Sequence, residues 1–119
     1  MAQPKNFGFG EDEKMLRDTA QKFLKDNASV DKLHKLVAGN PDPYRAIESH
    51  WDKSIWDKIV EMGWTTVAVP ESAGGMGMNL TALAALAEEV GRAALPSPFI
   101  ATVNATLVVR ECDGAVAEQ

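Results

Sequence analysis

Between residues 11 and 25 the apolar positions fall at Met15, Leu16, Ala20, Phe23 and Leu24, with Thr19 beside them. This i, i+1, i+4 recurrence gives one dry and one wet face and predicts an amphipathic helix. Its acidic start at Glu11, Asp12 and Glu13 and its basic end at Lys22 and Lys25 suit the helix dipole. A shorter helix is predicted from a cap at Ser29 through Leu33, Leu36 and Val37, closed by Gly39-Asn40. Pro41-Asp42-Pro43 then breaks the chain, and residues 44–50 show no clear period. A third helix starts at Asp52 or Ser54 and ends at Met62, with Ile55, Trp56, Ile59 and Val60 inward and Gly63 as its stop. The β-branched residues 65–69 predict a brief extended stretch, followed by a glycine-rich loop over residues 70–77. Asn79 caps a fourth helix carrying Leu80, Leu83, Ala84, Leu86, Ala87 and Val90. Ser97 caps a fifth, opened by Pro98, with Phe99, Ile100, Val103, Leu107 and Val108, and Asp113-Gly114 ends it. The pattern therefore predicts one all-α domain over residues 1–119, a bundle of four to five helices in orthogonal or up-down arrangement.

Composition narrows the function classes. At 45% hydrophobic and 24% charged residues the chain has a globular composition. Twelve Lys and Arg against seventeen Asp and Glu give a net charge of -5, so no basic excess invites nucleic acid. No apolar run approaches a membrane span, and the first residues do not read as a signal peptide. A single cysteine, Cys112, and two histidines offer neither an internal disulfide nor a zinc-like spacing. A reduced, cytoplasmic setting is expected.

Candidate chemistry is sparse. Gly74-Gly75-Met76-Gly77 lacks the Gly-Lys-Ser/Thr and Gly-x-Gly-x-x-Gly spacings of phosphate loops, so a backbone turn is the better reading. Glu88 and Glu89 are adjacent on a helix and point about 100° apart, poor geometry for a shared acid–base pair. Both reach Arg92 by i, i+4 or i, i+3 spacing, which predicts ordinary surface ion pairs. His34 and His50 lack a Ser, Cys or carboxylate partner at a recognisable spacing. Acidic neighbours Glu111 and Asp113 dull Cys112. Trp51, Trp56 and Trp64 read as core anchors. The fifth helix mixes Thr102, Asn104 and Thr106 with branched apolar residues, which suits either a pocket wall or an amphipathic helix with wet threonines.

Between residues 56 and 92 several elements arrive together: Gly63-Trp64, Pro70-Glu71, Gly74-Gly75-Met76-Gly77 and Glu88-Glu89-Val90-Gly91-Arg92. In this order and spacing they resemble the N-terminal helical domain of the acyl-CoA dehydrogenases. The helix over residues 11–25 and the Pro96-Ser97-Pro98 helix start extend the resemblance to nearly the whole chain.

The resemblance implies an oxidoreductase of fatty acid metabolism whose middle β-domain and C-terminal bundle, with FAD and the catalytic glutamate, lie outside these residues. It implies acyl-CoA as substrate and the remaining domains or a sister subunit as partners, in a homo- or hetero-oligomer. Aligning the Glu-Glu-x-Gly-Arg element places Phe99, Thr102, Val103 and Thr106 against the acyl chain, so Val103→Trp is expected to favour smaller acyl groups. No catalytic, cofactor-binding or metal-binding residue is implied within the chain. Ala73 departs from the larger residue common in the family, and the chain stops where the family would begin another helix. Alternatives at this level are a non-catalytic helical subunit that binds a partner chain, and a small carrier of acyl ligands.

Overall fold

The computed structural model describes residues 8–38 and 51–112. It contains α1 (Glu11–Asn27), α2 (Val30–Ala38), α3 (Lys53–Glu61), α4 (Leu80–Arg92) and α5 (Phe99–Arg110), with no strand among the described residues. The fold is all-α. The breaks read at Gly39-Asn40, Pro41-Asp42-Pro43 and Asp113-Gly114, together with His50, lie outside the described residues.

Each helix start has a local cause. The Gly10 backbone N–H, otherwise without a helical partner, donates to Glu13 Oε2 at 2.9 Å. Backbone donors from Glu13 itself and from Gly10 hold the Glu13 carboxyl below the usual range. Asp52 caps α3, its Oδ1 accepting from Ser54 N at 2.8 Å and from the Ser54 hydroxyl at 2.7 Å. Those bonds, the hydroxyl first, lower the Asp52 pKa. Asn79 caps α4, Oδ1 accepting from Ala82 N at 2.9 Å, as its position predicts. At α5 the helix proper begins at Phe99, one residue later than the Ser97-Pro98 pattern predicts, with Phe99 N reaching Ser97 Oγ at 3.4 Å.

Helices α1 and α4 lie against each other and bury Ala20, Leu24, Ala82, Leu83, Leu86 and Val90. Alanines at 82 and 85 are fully enclosed, so the backbone of α4 can approach its neighbours closely. Gly63, at φ 75, ends α3 in the left-handed region and turns the chain into a single 3-10 turn, Trp64–Thr66. Both α3 and α5 pack on that turn. Of the three tryptophans only Trp64 is a full core anchor, 1% exposed and edge-on to Phe23 at 5.4 Å. Trp51 and Trp56 are half-buried and meet edge to face at 6.1 Å.

Residues 65–69 do not extend as a strand. Their carbonyls are taken by the glycine loop folded back over them: Met76 N donates to Thr66 O at 3.0 Å, Met78 N to Val67 O at 2.9 Å and Gly77 N to Val69 O at 2.8 Å. Val67 and Ala68 thereby enter the core. β-Branching favours extension only where a neighbouring strand supplies hydrogen bonds.

Gly91 stands inside α4 with nothing within 4 Å of where a Cβ would sit. Since alanine is the better helix former by roughly 1 kcal/mol, Gly91→Ala is expected to raise the thermal midpoint of this domain when expressed alone. The check is a calorimetric melt, and a lowered midpoint would show that the open space at Gly91 is needed by the fold.

Candidate functional site

The four residues singled out by resemblance all lie on α5, but they do not share one environment. Phe99 and Val103 are in the core, 0% and 5% exposed. Thr102 and Thr106 are half-buried on the flank of the helix, where each hydroxyl donates to the carbonyl one turn earlier. Beyond them α5 presents an open, largely apolar face: Ile100 is 50% exposed and Val108 67%, with Ala101, Ala105 and Val109 also exposed and the polar Asn104 among them. The far end of α5 is pinned by Arg110, whose Nη1 donates to Ala68 O at 3.4 Å.

Two clefts lie elsewhere, and neither is lined by those four residues. One, of about 390 Å³, is bounded by Leu33 and Leu36 of α2, Ile55 of α3 and Leu95, with Lys32 and Asp52 at its rim. The other, of about 490 Å³, is a methionine groove formed by Met15, Met62, Met76 and Met78 over Leu16 and Trp64. Thioether side chains fill irregular apolar gaps well. No sequence spacing announced this groove, because its methionines come from three separate segments.

The acidic pair at Glu88 and Glu89 differs from its expectation. Glu88 pairs with Arg92 at 2.9 Å on the surface, as predicted. Glu89 is only 2% exposed and is not a surface group. Its Oε1 accepts from Arg17 Nε at 2.9 Å and from Gln21 Nε2 at 3.1 Å, while Arg92 Nε stands 3.5 Å from Oε2. The side chain thus ties α4 to α1. A carboxylate whose oxygens are held this way by two guanidinium groups and an amide is a structural tie, poorly placed to take up a proton from a substrate. Arg17→Ala is expected to cost about 2 kcal/mol, since Glu89 keeps Gln21 and Arg92 but loses its best-aligned donor. Urea unfolding measures it, and a loss under about 0.5 kcal/mol would mean the tie is idle.

His34 is exposed on α2, and Cys112 is exposed and free at the end of α5. No group of three or more His, Cys, Asp or Glu side chains suited to a metal occurs among the described residues. No helix among them is long and apolar enough to cross a membrane.

In the glycine loop, a Cβ at Gly75 would lie 2.2 Å from the Val69 carbonyl oxygen. At Gly77 the nearest neighbour is Glu71, 3.0 Å from the Cβ position. Gly75 serves close packing of the loop on Val69, Gly74 and Gly77 take left-handed turns at φ +81 and +64, and the nearby carboxylate is an unfavourable companion for a phosphate.

Comparison with known proteins agrees with the motif pattern. Residues 10–112 match the acyl-CoA dehydrogenase N-terminal domain family. The acyl-CoA dehydrogenase IpdE2 of Mycobacterium tuberculosis is 29% identical over 100 residues, covering 83% of this chain and 29% of its own length. The IpdE2 of Mycolicibacterium smegmatis is 26% identical over 100 residues, covering 83% of this chain and 30% of its own. The acyl-CoA dehydrogenase FadE34 of Mycobacterium tuberculosis is 36% identical over 81 residues, 68% of this chain and 10% of its own. The chain therefore spans less than a third of the length of these relatives. No solved structure matches it. Residues 10–112 cover all five helices, and by that match the chain belongs to the family of acyl-CoA dehydrogenase N-terminal domains.

Proposed function

We propose that this chain is the N-terminal domain of a flavin-dependent acyl-CoA dehydrogenase and supplies one wall of the acyl pocket rather than the reacting groups. The observation that carries the reading is α5. Its open face is largely apolar around Asn104, and this domain covers the side of Phe99 and Val103. Large apolar side chains gathered on one exposed helix face mark a docking surface, so Ile100, Val108 and Val109 call for a cover from other segments or another subunit. The remaining domains of the same enzyme, or a sister subunit in a homo- or hetero-oligomer in the cytoplasm, would provide it.

The division of labour follows from what the side chains here are already doing. Glu89 is engaged by Arg17, Gln21 and Arg92, and Glu88 by Arg92, so neither is free to abstract a proton, and this reading assigns the base to another segment. The glycine loop packs against its own chain and carries Glu71, so these residues do not fit FAD, which would be held by other domains. Within this chain Thr102 and Thr106 stand at the margin between core and open face, where an acyl chain lying along α5 would pass.

Val103 is enclosed, and a tryptophan there would overpack the core before it reached a ligand. Thr102 is the better probe. In the complete enzyme Thr102→Trp is expected to lower kcat/KM for long acyl-CoA substrates at least tenfold relative to short ones. An unchanged chain-length profile would remove α5 from the pocket. The same open face also suits a non-catalytic subunit that docks on a partner chain; a full-length product carrying no flavin would favour that second reading.

A further inference from the structure

Four of the chain's five methionines line one groove, and they are unequally shielded. Met15 on α1 is 67% exposed and Met76 in the glycine loop 40%, whereas Met62 and Met78 are half-buried. Among the described lining residues only Asp12 is charged, so nothing there repels a small neutral oxidant. The two exposed sulfurs differ in what they hold. Met15 stands on α1, which is fixed by Ala20, Leu24 and the tie from Arg17 to Glu89, so a polar group on its tip changes little. Met76 packs on the turn that ends α3: its Sδ lies 3.2 Å and its Cγ 3.7 Å from where a Gly63 Cβ would sit. Its backbone N–H donates to Thr66 O at 3.0 Å, one of the bonds that fold the loop back. The hydroxyl beside that contact, Thr66 Oγ1, already donates to Gly63 O at 3.2 Å, and it has a single proton to give. An oxygen added to the Met76 sulfur therefore finds no donor there and turns to water, drawing the side chain off Gly63 and off the groove over Trp64.

We propose that Met76 is a site of reversible oxidative modification, where hydrogen peroxide or an organic hydroperoxide converts the thioether to its sulfoxide and loosens the glycine loop from the Gly63 turn. In that step a sulfur lone pair attacks the terminal peroxide oxygen, and an S–O bond forms as the O–O bond breaks. The sulfur loses two electrons to the peroxide. The departing oxygen takes the proton of the transferred one and leaves as water or as an alcohol. Met15 oxidises alongside without moving the loop. Methionine sulfoxide reductases, one for each sulfoxide epimer, reverse the change.

The test exposes the complete native product to hydrogen peroxide, maps sulfoxide by peptide mass and reads amide hydrogen exchange over residues 63–78. Met15 and Met76 are expected to oxidise at least about fivefold faster than Met62 and Met78. Exchange over residues 63–78 is expected to quicken at least about fivefold in step with Met76 oxidation, and the two reductases together should return it to its starting rate. Met76→Leu, a swap of similar volume checked by a melt, is expected to lose the exchange response while Met15 still oxidises. Met15→Leu should keep the response. A Met76 that oxidises no faster than Met62 and Met78 overturns the proposal. So does an exchange response that survives in Met76→Leu, that is missing when Met76 is fully oxidised, or that the reductases do not reverse.

Discussion

Trp64→Ala is expected to cost this domain about 3–5 kcal/mol, the range for removing a fully enclosed aromatic side chain. The indole is 1% exposed, meets Phe23 edge-on at 5.4 Å and floors the methionine groove between α1 and the glycine loop. It also sits on the turn against which both α3 and α5 pack. Truncation would therefore leave a void where the turn meets α3 and α5. Since a domain of this size loses about 4–8 °C per kcal/mol, the thermal midpoint should fall by about 15 °C or more. Circular dichroism melts measure it directly. A fall of less than about 5 °C would mean that the neighbours collapse into the space and that Trp64 is not the keystone its burial indicates.

Gly75→Ala should follow closely, at roughly 2–4 kcal/mol. The cause is not backbone conformation, for Gly75 is not among the positive-φ glycines. It is proximity: the added carbon would lie 2.2 Å from Val69 O and 2.3 Å from Val69 Cβ. Backbone must yield there, and the bonds from Gly75 N to Pro70 O at 3.1 Å and from Gly77 N to Val69 O at 2.8 Å are the ones at risk. Gly74 is the internal control. Its φ is +81, yet nothing lies within 4 Å of its Cβ position, so Gly74→Ala carries only the left-handed penalty of about 1–2 kcal/mol. Chemical denaturation of both variants should rank Gly75→Ala as the more damaging. The reverse order would contradict the close-packing account of this loop.

Much of the architecture is written in local patterns. The period of Leu16, Ala20, Phe23 and Leu24 specifies α1, and Asn79 marks the start of α4, because both signals act within one or two helical turns. What escapes such reading is decided between distant segments. The β-branched run at 65–69 looked extended because nothing within it reveals that residues 76–78 return to take its carbonyls. Glu89 looked like a surface partner of Arg92, and that contact exists, but its stronger bond is to Arg17, 72 positions away. The methionine groove likewise exists only after α1, the end of α3 and the loop have been brought together. For the candidate site, the motifs pointed to α5 and its threonines, whereas the partition of Phe99 and Val103 into the core and of Ile100 and Val108 outside became visible only in the packed helix.

That partition explains why the isolated sequence shows so little chemistry. Among the described residues Glu13 and Asp52 cap helices, Glu89 ties α4 to α1, Gly75 packs the loop on Val69, and α5 leaves Ile100, Val108 and Val109 exposed. These properties support the proposal that the chain completes a pocket built with other parts.

The central claim is tested most directly by purifying the native product that contains this sequence and titrating it with an acyl-CoA under anaerobic conditions while recording the flavin absorbance. The account predicts a flavoprotein whose absorbance bleaches on adding the thioester. A stable, monodisperse product near 12.9 kDa that carries no flavin and leaves the acyl-CoA unchanged would contradict it.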